Sequence, residues 1–164
     1  MYEGNKRTGY VTGYELYNQL GLTTQMAFAT KIATNRNRIK INVGWLRISS
    51  VKAYVEVTDE NYSLLGILDA LKDIKLIPDS SVSNALKILM FKIKRFPKKE
   101  IEDLMQYALQ YPPRVRALLG AVIENIFKNE FDLSSLTKSL NPLTTFKLGI
   151  KNTILPTSHN WNII

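Results

Sequence analysis

The apolar residues of this chain change period once along its length, and that change sets the fold class. Ile39, Ile41 and Val43 alternate with Lys40 and Asn42, the period of a half-buried strand. From Leu64 onward the apolar positions recur at steps of three and four, the period of a helix face. Leu64, Leu65, Leu68 and Leu71 predict a helix over Glu60–Asp73, capped by Thr58 or Asp59. Val82, Leu86, Leu89, Met90 and Ile93 mark a second, ended by Pro97. Ile101, Leu104, Met105 and Ala108 mark a third, from Lys98 to about Tyr111. Pro112 and Pro113 stop it and start a fourth, with Val115, Leu118, Leu119, Val122, Ile123 and Ile126 on one face.

Ahead of these helices the pattern is strand-like. Residues 1–9 are polar and read as a flexible N-terminus. Thr12 and Glu15 fit a T-x-x-E capping box, with Val11 and Leu16 as its staple, for a helix over Gly13–Leu20 stopped at Gly21. Met26–Ala33 reads as a strand and Thr34–Asn37 as a turn. Gly44 breaks the Ile39–Val43 strand, and Trp45–Ile48 and Val51–Val57 continue the sheet. Short mixed elements follow Leu133. The expectation is one α+β domain over residues 10–164: a small, mostly antiparallel sheet near the N-terminus, packed against a run of about four helices.

Residue types narrow the chemistry. The 164-residue chain has no cysteine, which removes disulfides, thiol nucleophiles and cysteine-ligated metal sites. His159 is the single histidine, so sites built on several imidazoles are excluded too. No metal or cofactor site is read from the sequence. MYEGNKRTGY lacks the apolar core of a signal peptide, and no apolar run approaches a membrane span, so the chain reads as cytoplasmic. A net charge of +8 favours acidic partners, nucleic acid among them.

That charge is unevenly placed. Between Glu15 and Glu56 every charged residue is basic: Lys31, Arg36, Arg38, Lys40, Arg47 and Lys52. Strand alternation sets Arg36, Arg38 and Lys40 on one side, with Ile39 and Ile41 on the other. Arginine forks suit phosphate or carboxylate pairing, and Arg36, Arg38, Lys40 and Arg47 are the leading candidates for partner binding. A second acid-free stretch lies between Asp79 and Glu100, from which Lys94, Arg95 and Lys98 extend the candidate set. A solvated helix face, with cations near a C-terminus offsetting the dipole, explains that stretch equally well. Arg114 and Arg116 open the fourth helix, where pairing with Glu100, Glu102 or Asp103 is expected. Tyr10, Tyr14 and Tyr17 share one helical side, suited to core packing more than to stacking on bases.

Signals for catalysis are poor. Asp69 and Asp73 are one helical turn apart, which suits a solvated helix face better than a carboxylate pair or a metal site. Pro78-Asp79 opens a nuclease-like pattern, but no downstream acid has a lysine two residues on. His159 reads as an exposed tail residue. Trp161, Ile163 and Ile164 are apolar enough to dock, on their own core or on a neighbour.

Three stretches carry a family resemblance: YVTGYELYNQLGLTTQ (10–25) with the KIATNRNRIKI pair behind it, YALQYPPRVRALLGAVIE (107–124), and SLNPLTTFKLGI (139–150) with LPTSHNWNI closing the chain. In this order they resemble the C-terminal domain of AbiEi-like antitoxins and related bacterial regulators of type IV toxin–antitoxin, or abortive-infection, systems. The resemblance implies a noncatalytic regulatory or antitoxin domain. Its implied partners are a nucleotidyltransferase-like toxin encoded nearby, and nucleic acid. Family members usually carry a winged helix-turn-helix ahead of the YVTGY-like segment. This chain begins a few residues before that segment, so DNA reading by a winged helix is not carried over. The alternatives are a stand-alone nucleic-acid-binding domain and, as a distant third, a metal-dependent nuclease.

Overall fold

The computed structural model describes residues 1–164. It begins with a hairpin of β1 (Tyr2–Glu3) and β2 (Lys6–Arg7), followed by β3 (Gly9–Thr12) and the short helix α1 (Tyr14–Gln19). Strands β4 (Thr30–Thr34), β5 (Lys40–Val43) and β6 (Leu46–Lys52) come next. Helices α2 (Tyr62–Lys72), α3 (Val82–Ile93), α4 (Lys98–Ala108) and α5 (Pro113–Phe127) follow. A short α6 (Ser134–Lys138) and a 3-10 helix over Pro156–Trp161 complete it. The class is α+β, as the change of period predicts. No helix is long and apolar enough to cross a membrane.

The four-stranded sheet runs β3-β4-β6-β5. Its outer pairings are antiparallel and the central one, β4 with β6, is parallel. The chain leaves β4, passes the end of β6, runs out along β5 and returns as β6 between the two. The return is a two-residue turn, Gly44-Trp45, between the paired residues Val43 and Leu46. Gly44 sits at φ 57, which the first central position of such a turn requires and a side chain resists. Residues paired across a ladder share a face, so Tyr10, Thr12 and Ala33 lie together on the face under the helices, all buried.

Helix α2 is the centre of the molecule. It packs on β3 to one side and on α4 and α5 to the other, and every residue from Leu64 to Leu71 is buried. Asp69 is among them, 2% exposed. Its Oδ2 accepts from the Tyr10 hydroxyl at 2.9 Å and the Thr12 hydroxyl at 2.7 Å. Its Oδ1 accepts from the Tyr111 hydroxyl at 3.2 Å, and Lys72 Nζ stands 3.7 Å away. The Tyr54 ring stacks on Tyr111 at 4.4 Å and closes the cluster. Burial, reinforced by the Asp69 charge, pushes the Tyr10 and Tyr111 hydroxyls far above their ordinary range, which keeps them protonated as donors.

The expected solvated face for Asp69 is therefore corrected. A helix covered on both sides has no wet face, and a carboxylate there persists only when surrounded by donors. Asp73 is half-buried and accepts from Tyr17 at 2.6 Å. Thr12 is likewise no helix cap. It is a strand residue turned towards Asp69, and α1 starts behind Gly13 without a side-chain cap. Glu15 instead accepts from the Thr30 hydroxyl at 3.0 Å. The stop at Gly21 is as expected: its φ is 75, and the amides of Gly21 and Leu22 close the helix on Asn18 and Tyr17.

Other expectations shift. The Met26–Ala33 strand shortens to β4, leaving Met26 and Phe28 exposed with no neighbouring strand to pair. Residues 1–9, expected to be a flexible N-terminus, hold the β1–β2 hairpin over Tyr2–Arg7 and, at Gly9, the start of β3. Tyr2 Oη and Arg7 Nε both donate to Asp59 Oδ1, at 2.8 and 2.7 Å, and Arg7 also covers the Tyr62 ring at 3.8 Å. Polar residues alone suggest fraying, but acids ahead of α2 hold these ones. Arg114 and Arg116 do not pair with acids. They donate to the carbonyls of Lys72 (2.7 Å) and Ser139 (3.0 Å), at the C-terminal ends of α2 and α6. Trp161 and Ile163 dock on the chain's own core, and Ile164 stays exposed. The Trp161 ring lies on Gly120, and its Nε1 donates to Glu124 at 2.7 Å.

Two stability predictions follow from these contacts. Asp69→Ala strands three buried hydroxyls and should cost on the order of 3 kcal/mol or more, against about 1.5 kcal/mol for Tyr10→Phe. Urea unfolding should show lowered midpoints at constant slope, and an unchanged midpoint for Asp69→Ala would refute the role given to it. Gly120→Ala would put a methyl carbon 2.2 Å from the indole. It should eject Trp161 and shift its fluorescence to the red, while Trp45, already 91% exposed, contributes a constant background.

Candidate binding surface

The acid-free stretch of the sequence supplies β4, β5 and β6, and its outer part becomes the open edge of the sheet. In β5, Lys40 and Asn42 share a face with their β6 partners Ser49 and Arg47, and Lys31 of β4 joins it through Ser49. The opposite face carries Ile41, Val43, Leu46 and Ile48. Leu46 and Arg47 pair with β5 only, because β4 begins opposite Ile48. The hairpin therefore projects past β4 as a ribbon, and residues 40–47 are all exposed. Trp45 stands at its tip.

The candidate cations are divided by their partners. Lys40 and Arg47 lie on the ribbon, and neither has an acid within ion-pair distance; nor do Lys31, Arg38 and Lys52. Arg36, Arg38 and Lys52 border a shallow hollow of about 220 Å³ with Thr34, Asn35, Ser50 and Val51. Arg36 differs. It lies in the bend between β4 and β5, where strand alternation does not apply, and pairs with Glu3 of the hairpin at 2.7 Å.

Lys94, Arg95 and Lys98 are not part of the ribbon. They form the corner between α3 and α4, helices that pack on α2 and α5. Lys94 is the C-cap of α3, Arg95 covers the Phe91 ring at 5.5 Å, and Lys98 lies 4.0 Å from Glu102. Two separate basic areas result, where a single extended surface was expected.

Carboxylates offer little else. Asp69 and Asp73 are occupied by hydroxyls, Asp79 is an exposed turn residue at φ 53, and no three acids or histidines converge as metal ligands. His159 is exposed, its Nδ1 2.7 Å from the Pro156 carbonyl. Sequence reasoning passed over the apolar half of the surface. Val43, Trp45 and Leu46, with Met26 and Phe28 nearby in the chain, are large and uncovered. The signal was present in NVGWLR, where apolar residues flank a glycine turn, but alternation alone assigned them to a covered face.

The hairpin that engages Arg36 is itself held by Asp59, whose carboxyl lies below its usual range because Arg7 and Tyr2 donate to it. A lowered carboxylate stabilises the folded form above its ordinary pKa, and that contribution fades as the pH falls through the lowered value. Asp59→Asn at neutral pH should act like acid. Exchange of the Thr8 amide, bonded to the Met1 carbonyl at 3.0 Å, should accelerate while the melting temperature holds. Unchanged exchange would mean that the hairpin is held by other contacts.

Comparison with models of protein families, with curated protein sequences and with solved structures gives no match.

Proposed function

We propose that this chain is a noncatalytic regulatory domain of the antitoxin type, which binds an acidic macromolecular partner through the β5–β6 ribbon. One observation carries the reading: Lys40 and Arg47 share one face of a projecting ribbon whose residues 40–47 are all exposed, and they and the neighbouring Lys31, Arg38 and Lys52 have no carboxylate within ion-pair distance. Unpaired arginine and lysine on a projecting element favour association with an opposite charge and steer its approach. The regulatory role comes from the resemblance to AbiEi-like antitoxins, whose implied partner is a nucleotidyltransferase-like toxin. The dispersal of the acids among structural hydroxyls argues for binding over catalysis.

A second reading, a nucleic-acid partner, has one observation behind it. A two-stranded ribbon bearing Lys40, Asn42 and Arg47 on one face has the dimensions that a DNA major groove admits.

The double variant Lys40→Glu/Arg47→Glu tests both. Cells producing the nucleotidyltransferase-like toxin should grow when the chain is co-expressed and should lose that protection with the double variant. Failure of the unaltered chain to protect would end the antitoxin reading. Protection that survives the double variant would remove the ribbon from it. With a DNA duplex, log affinity should fall against log salt by about 0.9 per neutralised phosphate, and the double variant should flatten that slope by about two.

A further inference from the structure

Strand β5 is the open edge of the sheet: only β6 pairs with it. The hydrogen-bonding phase of its edge can be read from its first contact. The Ser50 amide donates to the Ile39 carbonyl at 2.9 Å, and the Ile39 amide donates to Ser50 Oγ at 2.7 Å. Antiparallel ladders alternate, so Ile41 and Val43 bond inward to β6, and the N–H and C=O of Lys40 and Asn42 point outward. The two sides of that edge differ in chemistry. One presents Lys40, Asn42 and Arg47, and the other presents Ile41, Val43 and Leu46.

We infer that β5 takes an added strand from a protein partner, a segment in which acidic and apolar residues alternate. This rests on the binding reading above and names its partner. Main-chain bonds to Lys40 and Asn42 would supply the docking. Acidic side chains would fall on the Lys40–Arg47 side and apolar ones on the Ile41–Val43 side, as the two-residue period requires. Polyanion charge alone leaves Ile41, Val43 and Leu46 unused, and a nucleic-acid backbone has nothing to place there. A second copy of this chain is the wrong occupant, because β5 against β5 sets Lys40 and Arg47 beside the same cations. Those charges keep the edge from pairing with itself while leaving it open to an acidic strand.

The probes are dye-labelled peptides of one composition, glutamate and valine either alternating through three repeats or divided into two blocks. The intact chain should bind the alternating peptide about tenfold more tightly than the block peptide, since mispaired side chains lose several small cross-strand terms. The amides of Lys40 and Asn42 should gain protection from hydrogen exchange when it binds. Asn42→Pro removes one outward donor, breaks no bond to β6 and leaves every charge in place. It should abolish the preference for alternation.

Equal binding of the two peptides, with Lys40 and Asn42 unprotected, overturns strand addition. So does a DNA duplex that outcompetes the alternating peptide and binds Asn42→Pro undiminished. The charge reading survives both of those results. It fails separately if Lys40→Glu/Arg47→Glu binds every probe like the unaltered chain.

Discussion

A single buried carboxylate joins the two halves of this fold. Asp69 projects from the central helix and takes hydroxyls from Tyr10 and Thr12 on the first strand of the main sheet and from Tyr111 just past α4. A carboxyl group out of reach of solvent is tolerated only when its oxygens are hydrogen-bonded, and here three donors converge from separate parts of the sequence. The arrangement fixes more than a distance. Tyr10 and Thr12 are two residues apart on one strand, so their hydroxyls reach Asp69 together only in one register of β3 against α2. A purely apolar contact would let the sheet slide, whereas a shared acceptor does not. The placement of the sheet on the helices, and of the ribbon at its far edge, depends on that register.

What the sequence revealed and what it hid divide along a physical line. The helices were legible because each has a covered apolar face at helical spacing and proline marks their ends; Pro112-Pro113 starts α5 as written. The alternation at Ile39–Val43 located β5 but misjudged its surroundings, since a strand at an edge has the same period as one inside a sheet. The role of Asp69 was not legible. Its spacing to Asp73 is that of an ordinary exposed helix surface, and only the covering of α2 on both sides makes it internal. Thr12 misled for a related reason. A threonine three residues before a glutamate fits a cap, but the hydroxyl had a stronger acceptor 57 positions away.

The candidate site was partly legible in the same sense. Absence of acids between Glu15 and Glu56 marked the right region of the chain. Sequence distance could not show that Glu3, outside that window, folds back on Arg36, or that Lys94, Arg95 and Lys98 turn a different corner. Charge counted along a chain is a one-dimensional quantity, and a surface is assembled from whichever segments topology brings together. The ribbon keeps its cations unpaired because β5 and β6 are neighbours in sequence as well as in space, so the acid-free window supplies both strands.

That adjacency has a kinetic side. The turn at Gly44-Trp45 closes β5 on β6 across two residues, whereas β4 must wait for the chain to travel from Thr30 to Ile48, and β3 pairs across the whole of α1. Closure entropy rises with the length of the loop, so the ribbon is the cheapest part of the sheet to assemble. The parallel seam with β4 closes a longer loop, so the open edge of the sheet is also its most local part.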